Sequence, residues 1–108
     1  MTLSATAARR GRPHRSVYAA TKGAVEAMSR GLAVELALRK ITVDCVAPGL
    51  TDTPMLVGDH ADPNWIRQIP MGRIRYPEEV AAAVLFLASD DAGWVTGKTV
   101  DATGGYGL

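Results

Sequence analysis

Apolar residues recur at three- and four-residue steps early in the chain, where Val25, Met28, Leu32 and Leu36 fall on one stripe of a helix. Glu26 with Arg30 and Glu35 with Arg39 are favourably ordered i, i+4 pairs on the wetter side. The spacing predicts a helix over 17–39, with Ser16 as its N-cap, its hydroxyl accepting from a free amide of the first turn. Ala19, Ala20, Gly23, Ala24, Ala27, Gly31 and Ala33 crowd the same helix, a surface that permits close approach of a second helix within the chain or across a dimer. The β-branched stretch Ile41 to Ala47 predicts a strand ended by Pro48-Gly49, and residues 1–4 have the character of the last piece of another.

Strand, long helix, strand is a βαβ unit, so the strands are expected to be parallel. Residues 5–16 read as a loop punctuated by Gly11 and Pro13. Residues 50–76 hold no strong period and contain Gly58, Pro63, Pro70 and Gly72, so a short helix near 62–69 is the most they predict. A long, weakly structured excursion beside a site is often a lid. Within it, Trp65 and Met55 either face a substrate or pin the loop to the core. Pro77-Glu78-Glu79 opens a second helix, with proline in the first turn and carboxylates at the positive dipole end. Its expected apolar face is Val80, Val84 and Leu87, with Ala81 and Leu85 beside them, and it ends near Ser89. A strand over 98–102 and Thr103-Gly104-Gly105 finish the chain.

Ligands of parallel sheets collect outside the carboxyl ends of the strands. The helix start and the loop opening at Pro48 both belong to that edge. The stretch Ser16-Val17-Tyr18-Ala19-Ala20-Thr21-Lys22-Gly23 places a phenol and an ammonium four residues apart, hence on one helical face. A free phenol titrates near about 10, too high for a base at neutral pH, whereas a fixed cation and the positive end of a helix both favour the phenolate. A phenol so placed can trade a proton with an alcohol or a carbonyl oxygen. The same spacing also occurs on ordinary surface helices, with the ring half-buried and the amine in water. Arg9, Arg10, Arg12 and Arg15 cluster around His14 and suit either a phosphate, such as that of a coenzyme A or carrier-protein substrate, or a solvated loop.

Composition narrows the classes. The 108 residues are enough for one domain, and with 47% hydrophobic and 21% charged residues the balance is that of a soluble globular chain. A formal charge of +1 gives no drive toward nucleic acid or an anionic membrane. The longest apolar run, Val80 to Ala88, falls far short of the roughly 20 residues of a membrane span. With no leader pattern before the first strand, the chain is expected to be cytoplasmic, with no metal site. Cys45 has no second cysteine to pair with and is expected as a buried filler in its strand.

Tyr-Ala-Ala-Thr-Lys at 18–22 is followed in order by Ala47-Pro48-Gly49-Leu50-Thr51-Asp52-Thr53-Pro54-Met55, Pro77-Glu78-Glu79-Val80-Ala81, Val95-Thr96-Gly97-Lys98 and a closing Gly104-Gly105. This series resembles the short-chain dehydrogenase/reductase family across essentially the whole chain. The resemblance implies an α/β fold, a partial Rossmann-like doubly wound parallel sheet of about three strands with flanking helices. Residues 1–108 would form a single domain, the C-terminal part of such an oxidoreductase. It implies NAD or NADP as cofactor and hydride transfer between nicotinamide and a secondary alcohol or ketone. Tyr18 would be the acid/base and Lys22 its electrostatic partner, with both also contacting the cofactor. The loop after Pro48-Gly49 would cover the nicotinamide, the backbone of Thr51 and the hydroxyl of Thr53 holding its carboxamide.

The family's Gly-rich phosphate turn and catalytic asparagine belong to its N-terminal half, outside this sequence. Its substrate-binding serine, thirteen positions before the tyrosine, falls on Ala5, with Ser4 and Thr6 as neighbouring hydroxyls. The alternative is a non-catalytic remnant that packs against a full-length homologue, and a homo-oligomer is the other expected assembly.

Overall fold

The computed structural model describes residues 1–56 and 62–108. Gly58 and the side chain of Met55, which figured in the expected lid, lie outside the described residues. The elements run β1 (Thr2–Leu3), α1 (Ser16–Leu36), β2 (Cys45–Pro48), α2 (Pro63–Ile66), α3 (Pro77–Ala88) and β3 (Thr99–Ala102). Short 3-10 turns occupy Thr6–Ala8, Ala37–Arg39, Pro54–Leu56 and Asp90–Ala92.

The three strands form one parallel sheet in the order β1-β2-β3. Thr2 stands opposite Cys45, and Cys45 opposite Thr99. The central strand is the best buried, since Cys45, Val46 and Ala47 are all closed to solvent. Successive side chains of a strand point to opposite faces, and the two faces differ in chemistry. On one, Val46 packs with Leu87 and Ala92, flanked by Val80, Ala83 and Val84 of α3 and by Val95, Val100 and Ala102. On the other, the Thr2 hydroxyl lies 3.0 Å from both the Ser29 hydroxyl of α1 and the Cys45 sulfur. The sheet is therefore sandwiched between α1 and α3. Cys45 is buried in its strand as expected.

Helix α1 is rotated from the expectation. Its buried residues are Glu26, Ser29 and Ala33, whereas Met28 is 51% exposed and Val25, Leu32 and Leu36 are only half-buried. Glu26, expected on the wet side, is 4% exposed. The reason lies in Thr2 of β1 and in Ser4 just after it, which turn hydroxyls toward the helix. Buried polar atoms need partners, so the helix presents a carboxylate and a hydroxyl there instead of its apolar stripe. The Glu26–Arg30 pair survives only as a 4.0 Å contact at the edge of this face.

Smaller departures have local causes. Ser16 does not cap α1: it is the first helical residue, and Ala19 N–H already donates to the Arg15 carbonyl at 2.8 Å. The chain turns into the helix through His14 at φ 61°. Strand β2 begins at Cys45 and not at Ile41, and the two residues before it are tied to the segment ahead of β3 partly through side chains. Val43 N–H donates to the Thr96 hydroxyl at 3.0 Å, and the Asp44 carboxylate accepts Lys98 N–H at 2.9 Å. Helix α3 starts at Pro77 as expected, but Ala81 and Leu85 face solvent and Ala83 takes the inward place. The short helix expected near 62–69 is the single turn α2. Among the described residues no helix is long and apolar enough to cross a membrane.

The start of α3 carries a titratable clasp. Arg73 donates to both Glu79 carboxylate oxygens, at 2.8 and 2.6 Å, and the Tyr76 N–H donates to the same carboxylate at 2.9 Å. The Arg73 bonds first, then the Tyr76 N–H, hold the Glu79 carboxyl down at about 2. A carboxyl depressed on folding stabilises the fold above its unfolded value, near about 4.3, and that contribution is lost as pH falls through about 2. The fork is open to solvent, so salt weakens it. We therefore predict that Glu79→Gln has a lower melting temperature than the parent at neutral pH and that the gap closes as the buffer is taken from about pH 4.3 toward 2. A gap that stays constant across that window would contradict the assignment.

Candidate active site at the carboxyl edge of the sheet

Parallel strands share one carboxyl edge, and the segments that follow β1, β2 and β3 all leave the sheet there. Tyr18 and Lys22 stand in the opening turns of α1 on that side. The Lys22 ammonium lies 5.9 Å from the centre of the Tyr18 ring. Lys22 is fixed from below, its Nζ donating to the Leu3 carbonyl at the end of β1 at 3.0 Å. Thr21 donates to the Tyr18 carbonyl at 2.8 Å, while the Tyr18 side chain remains accessible. The i, i+4 spacing thus yields the phenol–ammonium pair that it predicts.

One turn further on, Glu26 continues the same face, although the apolar stripe of the helix assigns it to the wet side. The Ser4 hydroxyl donates to its Oε1 at 2.7 Å and Arg9 Nε approaches it at 3.3 Å. Arg9 also forks onto both oxygens of Asp101 in β3, one bond being 3.0 Å. The Asp101 bond and the two carboxylates raise the guanidinium's affinity for its proton, against a smaller opposing effect of burial. A signal was available: Tyr18, Lys22, Glu26, Ser29 and Ala33 follow one another at steps of three and four, so they share one helical face.

The hydroxyls near the expected serine position are now distinct. Ala5 is buried and has none, and Ser4 is engaged by Glu26. Thr6 lines a surface pocket with Arg9, Arg10, Asp101, Thr103 and Tyr106. The arginine cluster is mostly consumed internally. Arg9 holds the two carboxylates, Arg10 lies 4.4 Å from the centre of the Tyr106 ring, and Arg12 stacks on Trp65 at 3.7 Å. Trp65 therefore pins its segment to the loop before α1.

After β2, Pro48 and Gly49 are half-buried and lead into a laced loop. A Cβ on Gly49 would stand 3.5 Å from both Arg75 Nη2 and Thr103 Cα, so the segment is closely flanked. Thr51 and Arg75 form an isolated parallel bridge, in which Arg75 N–H donates to Leu50 C=O at 3.5 Å and Asp52 N–H to Arg75 C=O at 2.9 Å. In parallel pairing these bonds flank Thr51, so its own N–H and C=O turn to the opposite side. Arg75 Nε and Nη2 both donate to the Thr51 hydroxyl, each at 3.1 Å, and that hydroxyl donates to Gly49 C=O at 3.3 Å. Thr53 is half-buried, its carbonyl accepting Leu56 N–H at 2.8 Å. Arg75 lies in the aperiodic 50–76 stretch and escaped sequence reasoning. Among the described residues no three His, Cys, Asp or Glu side chains converge as a metal site.

A family model described as enoyl-(acyl carrier protein) reductase matches residues 1–107. The 3-oxoacyl-(acyl-carrier-protein) reductase FabG of Chlamydia trachomatis is 37% identical over 107 residues, covering 97% of this chain and 43% of that protein. The 3beta-hydroxysteroid dehydrogenase 1 of Eggerthella lenta is 45% identical over 100 residues, covering 89% of this chain and 38% of its own length. In the crystal structure of a 3-oxoacyl-(acyl-carrier protein) reductase from Brucella melitensis, 41% of that chain superimposes on 98% of this one, with a TM-score of 0.91 and 37% identity. The chain thus spans less than half the length of these relatives, and its parallel sheet with flanking helices is a partial Rossmann-like α/β fold. It belongs to the short-chain dehydrogenase/reductase family.

Proposed function

We propose that this chain carries the catalytic part of an NAD(P)-dependent oxidoreductase acting on a secondary alcohol or ketone. The observation that carries the reading is the Tyr18–Lys22 pair at the carboxyl edge, with its ammonium 5.9 Å from the phenol ring and bonded to the end of β1. Two relatives' names, an oxoacyl reductase and a hydroxysteroid dehydrogenase, share that carbonyl and carbinol chemistry and differ in the rest of the substrate. The N-terminal phosphate-binding half of the family would complete the cofactor site.

The residues present fit the nicotinamide end of such a cofactor. Thr51 turns an N–H and a C=O the same way, and a primary carboxamide offers the reciprocal acceptor and donor. Tyr18, Lys22, Pro48, Gly49, Thr51 and Thr53 would hold it. When bound, the cofactor supplies or accepts the hydride. The chain's own work is with the proton: the Tyr18 hydroxyl gives it to the substrate oxygen in reduction and takes it in oxidation. Lys22, held by the Leu3 carbonyl, stabilises the phenolate left behind. Ser4 is committed to Glu26, Ala5 lacks a hydroxyl and Thr6 lines the pocket with Arg9 and Asp101, so the family's serine position itself carries no donor toward the substrate oxygen.

A second reading is favoured by the surface, where Leu38 and Trp94 are fully exposed and Val17 and Val34 nearly so. Strand β1 is an edge of only two residues. Such edges and apolar positions invite partners, which fits a subunit that packs against a second copy or a full-length homologue.

Three outcomes are expected. In a version of the protein completed with a matching N-terminal half, Tyr18→Phe lowers turnover by about 10² to 10⁴ with the fold intact, and Lys22→Ala weakens both turnover and cofactor binding. Retained activity in Tyr18→Phe would refute the assignment. In the same protein Ala5→Ser raises kcat, by up to about 10² for an added donor to the reacting oxygen. No gain, with a large loss in Thr6→Ala, would show that Thr6 already serves. Light scattering of the 108-residue chain is expected to show an oligomer without dehydrogenase activity. A monodisperse monomer binding NAD(H) or NADP(H) at micromolar affinity would contradict this, since contacts to the nicotinamide end alone support about millimolar binding.

A further inference from the structure

Arg75 is a charged side chain in a place that ought to exclude one. It is 8% exposed, and its Nη1 has no hydrogen-bond partner among the described residues. Its other two side-chain contacts, from Nε and Nη2, converge on a single neutral oxygen, that of Thr51. Burial disfavours its charged form, and the charge of Glu79, which acts in the opposite direction, is already held by Arg73. A buried donor left unmade is costly, and an apolar side chain of similar size is often neutral or stabilising in such a position. Stability alone therefore does not account for an arginine here.

Its geometry does. A hydroxyl has one donor and two acceptor lone pairs. That of Thr51 uses them all, accepting twice from Arg75 and donating to Gly49 C=O. The backbone bridge grips the same residue from Leu50 and Asp52. Side chain and main chain together fix both the position of Thr51 and the direction in which its N–H and C=O point. A lysine would offer a point charge in place of this planar fork.

We propose that Arg75 is a positioning residue: by clamping the Thr51 hydroxyl it holds the Thr51 backbone in the orientation that receives a carboxamide. This rests on the cofactor reading above for the ligand, while the clamp itself stands on the contacts within the chain. The free energy lost in burying an incompletely paired guanidinium is exchanged for a preorganised loop, the familiar opposition between stability and function.

The test compares the 108-residue chain with Arg75→Met, Thr51→Val and the double variant. It uses thermal melting, hydrogen exchange read by mass spectrometry over 49–53, and saturation-transfer titration with nicotinamide mononucleotide. Arg75→Met is expected to melt at the parent's temperature or above it, yet to exchange faster at Asp52 and to bind the mononucleotide about tenfold more weakly. Thr51→Val does the same to exchange and binding, and the double variant is no worse than either single one, because both remove one contact. A merely structural arginine would lower melting, protection and binding together, and that result would overturn the proposal. So would unchanged exchange at Asp52 in both single variants. If the parent itself fails to bind the mononucleotide, the cofactor reading is overturned, and the exchange data alone then decide the clamp.

Discussion

A single buried carboxylate fastens this molecule together at the edge where its chemistry would take place. Glu26 accepts the Ser4 hydroxyl at the end of β1 and the Arg9 guanidinium from the following turn, and Arg9 reaches on to Asp101 of β3. Helix α1, both outer strands and the first connection thus meet in one polar junction. A carboxylate so placed needs donors and opposite charge, and Glu26 has both on its Oε1, from Ser4 and Arg9, with Arg30 4.0 Å from its other oxygen. The junction also sets the rotation of α1 about its axis. Because Lys22 and Tyr18 lie one and two turns before Glu26 on the same face, fixing that rotation fixes them as well.

The second half of the edge is held differently. The loop after β2 is clasped to Arg75 by the backbone bridge at Thr51 and by the guanidinium on the Thr51 hydroxyl. The Arg73–Glu79 fork ties the segment around Arg75 to the start of α3. Helix α3 itself is anchored by ordinary apolar packing of Leu87, Val80 and Val84 on Val46. One face of the sheet is therefore a hydrophobic interface, and the other is polar where it meets α1. The apolar side supplies stability without fixing direction, and the hydrogen-bonded side supplies direction.

Much of this was readable from the chain. The βαβ order, the parallel sheet and both long helices followed from periodicity and from Pro48-Gly49 and Pro77, because those signals are local. The Tyr18–Lys22 pairing was legible for the same reason: one helical turn suffices to define it. What escaped depends on partners far away in sequence. Glu26 looks like a surface residue until Ser4, 22 positions away, is brought beneath it. Arg9 finds Asp101 across 92 positions. Arg75 sits in a stretch with no period, and only the fold sets it against Thr51. Ser16 has the chemistry of a cap, yet the left-handed turn at His14 starts the helix one residue earlier.

The central claim is that the Glu26 junction, and not the intrinsic stability of α1, sets the place of Tyr18 and Lys22. Hydrogen exchange of Glu26→Gln, which keeps the shape and removes the charge, tests it most directly. Protection is expected to fall at Ser4 to Arg9 and over the first turns of α1 through Lys22, while β2 and α3 keep theirs. Unchanged protection in those first turns, or a uniform loss across the whole chain, would contradict it.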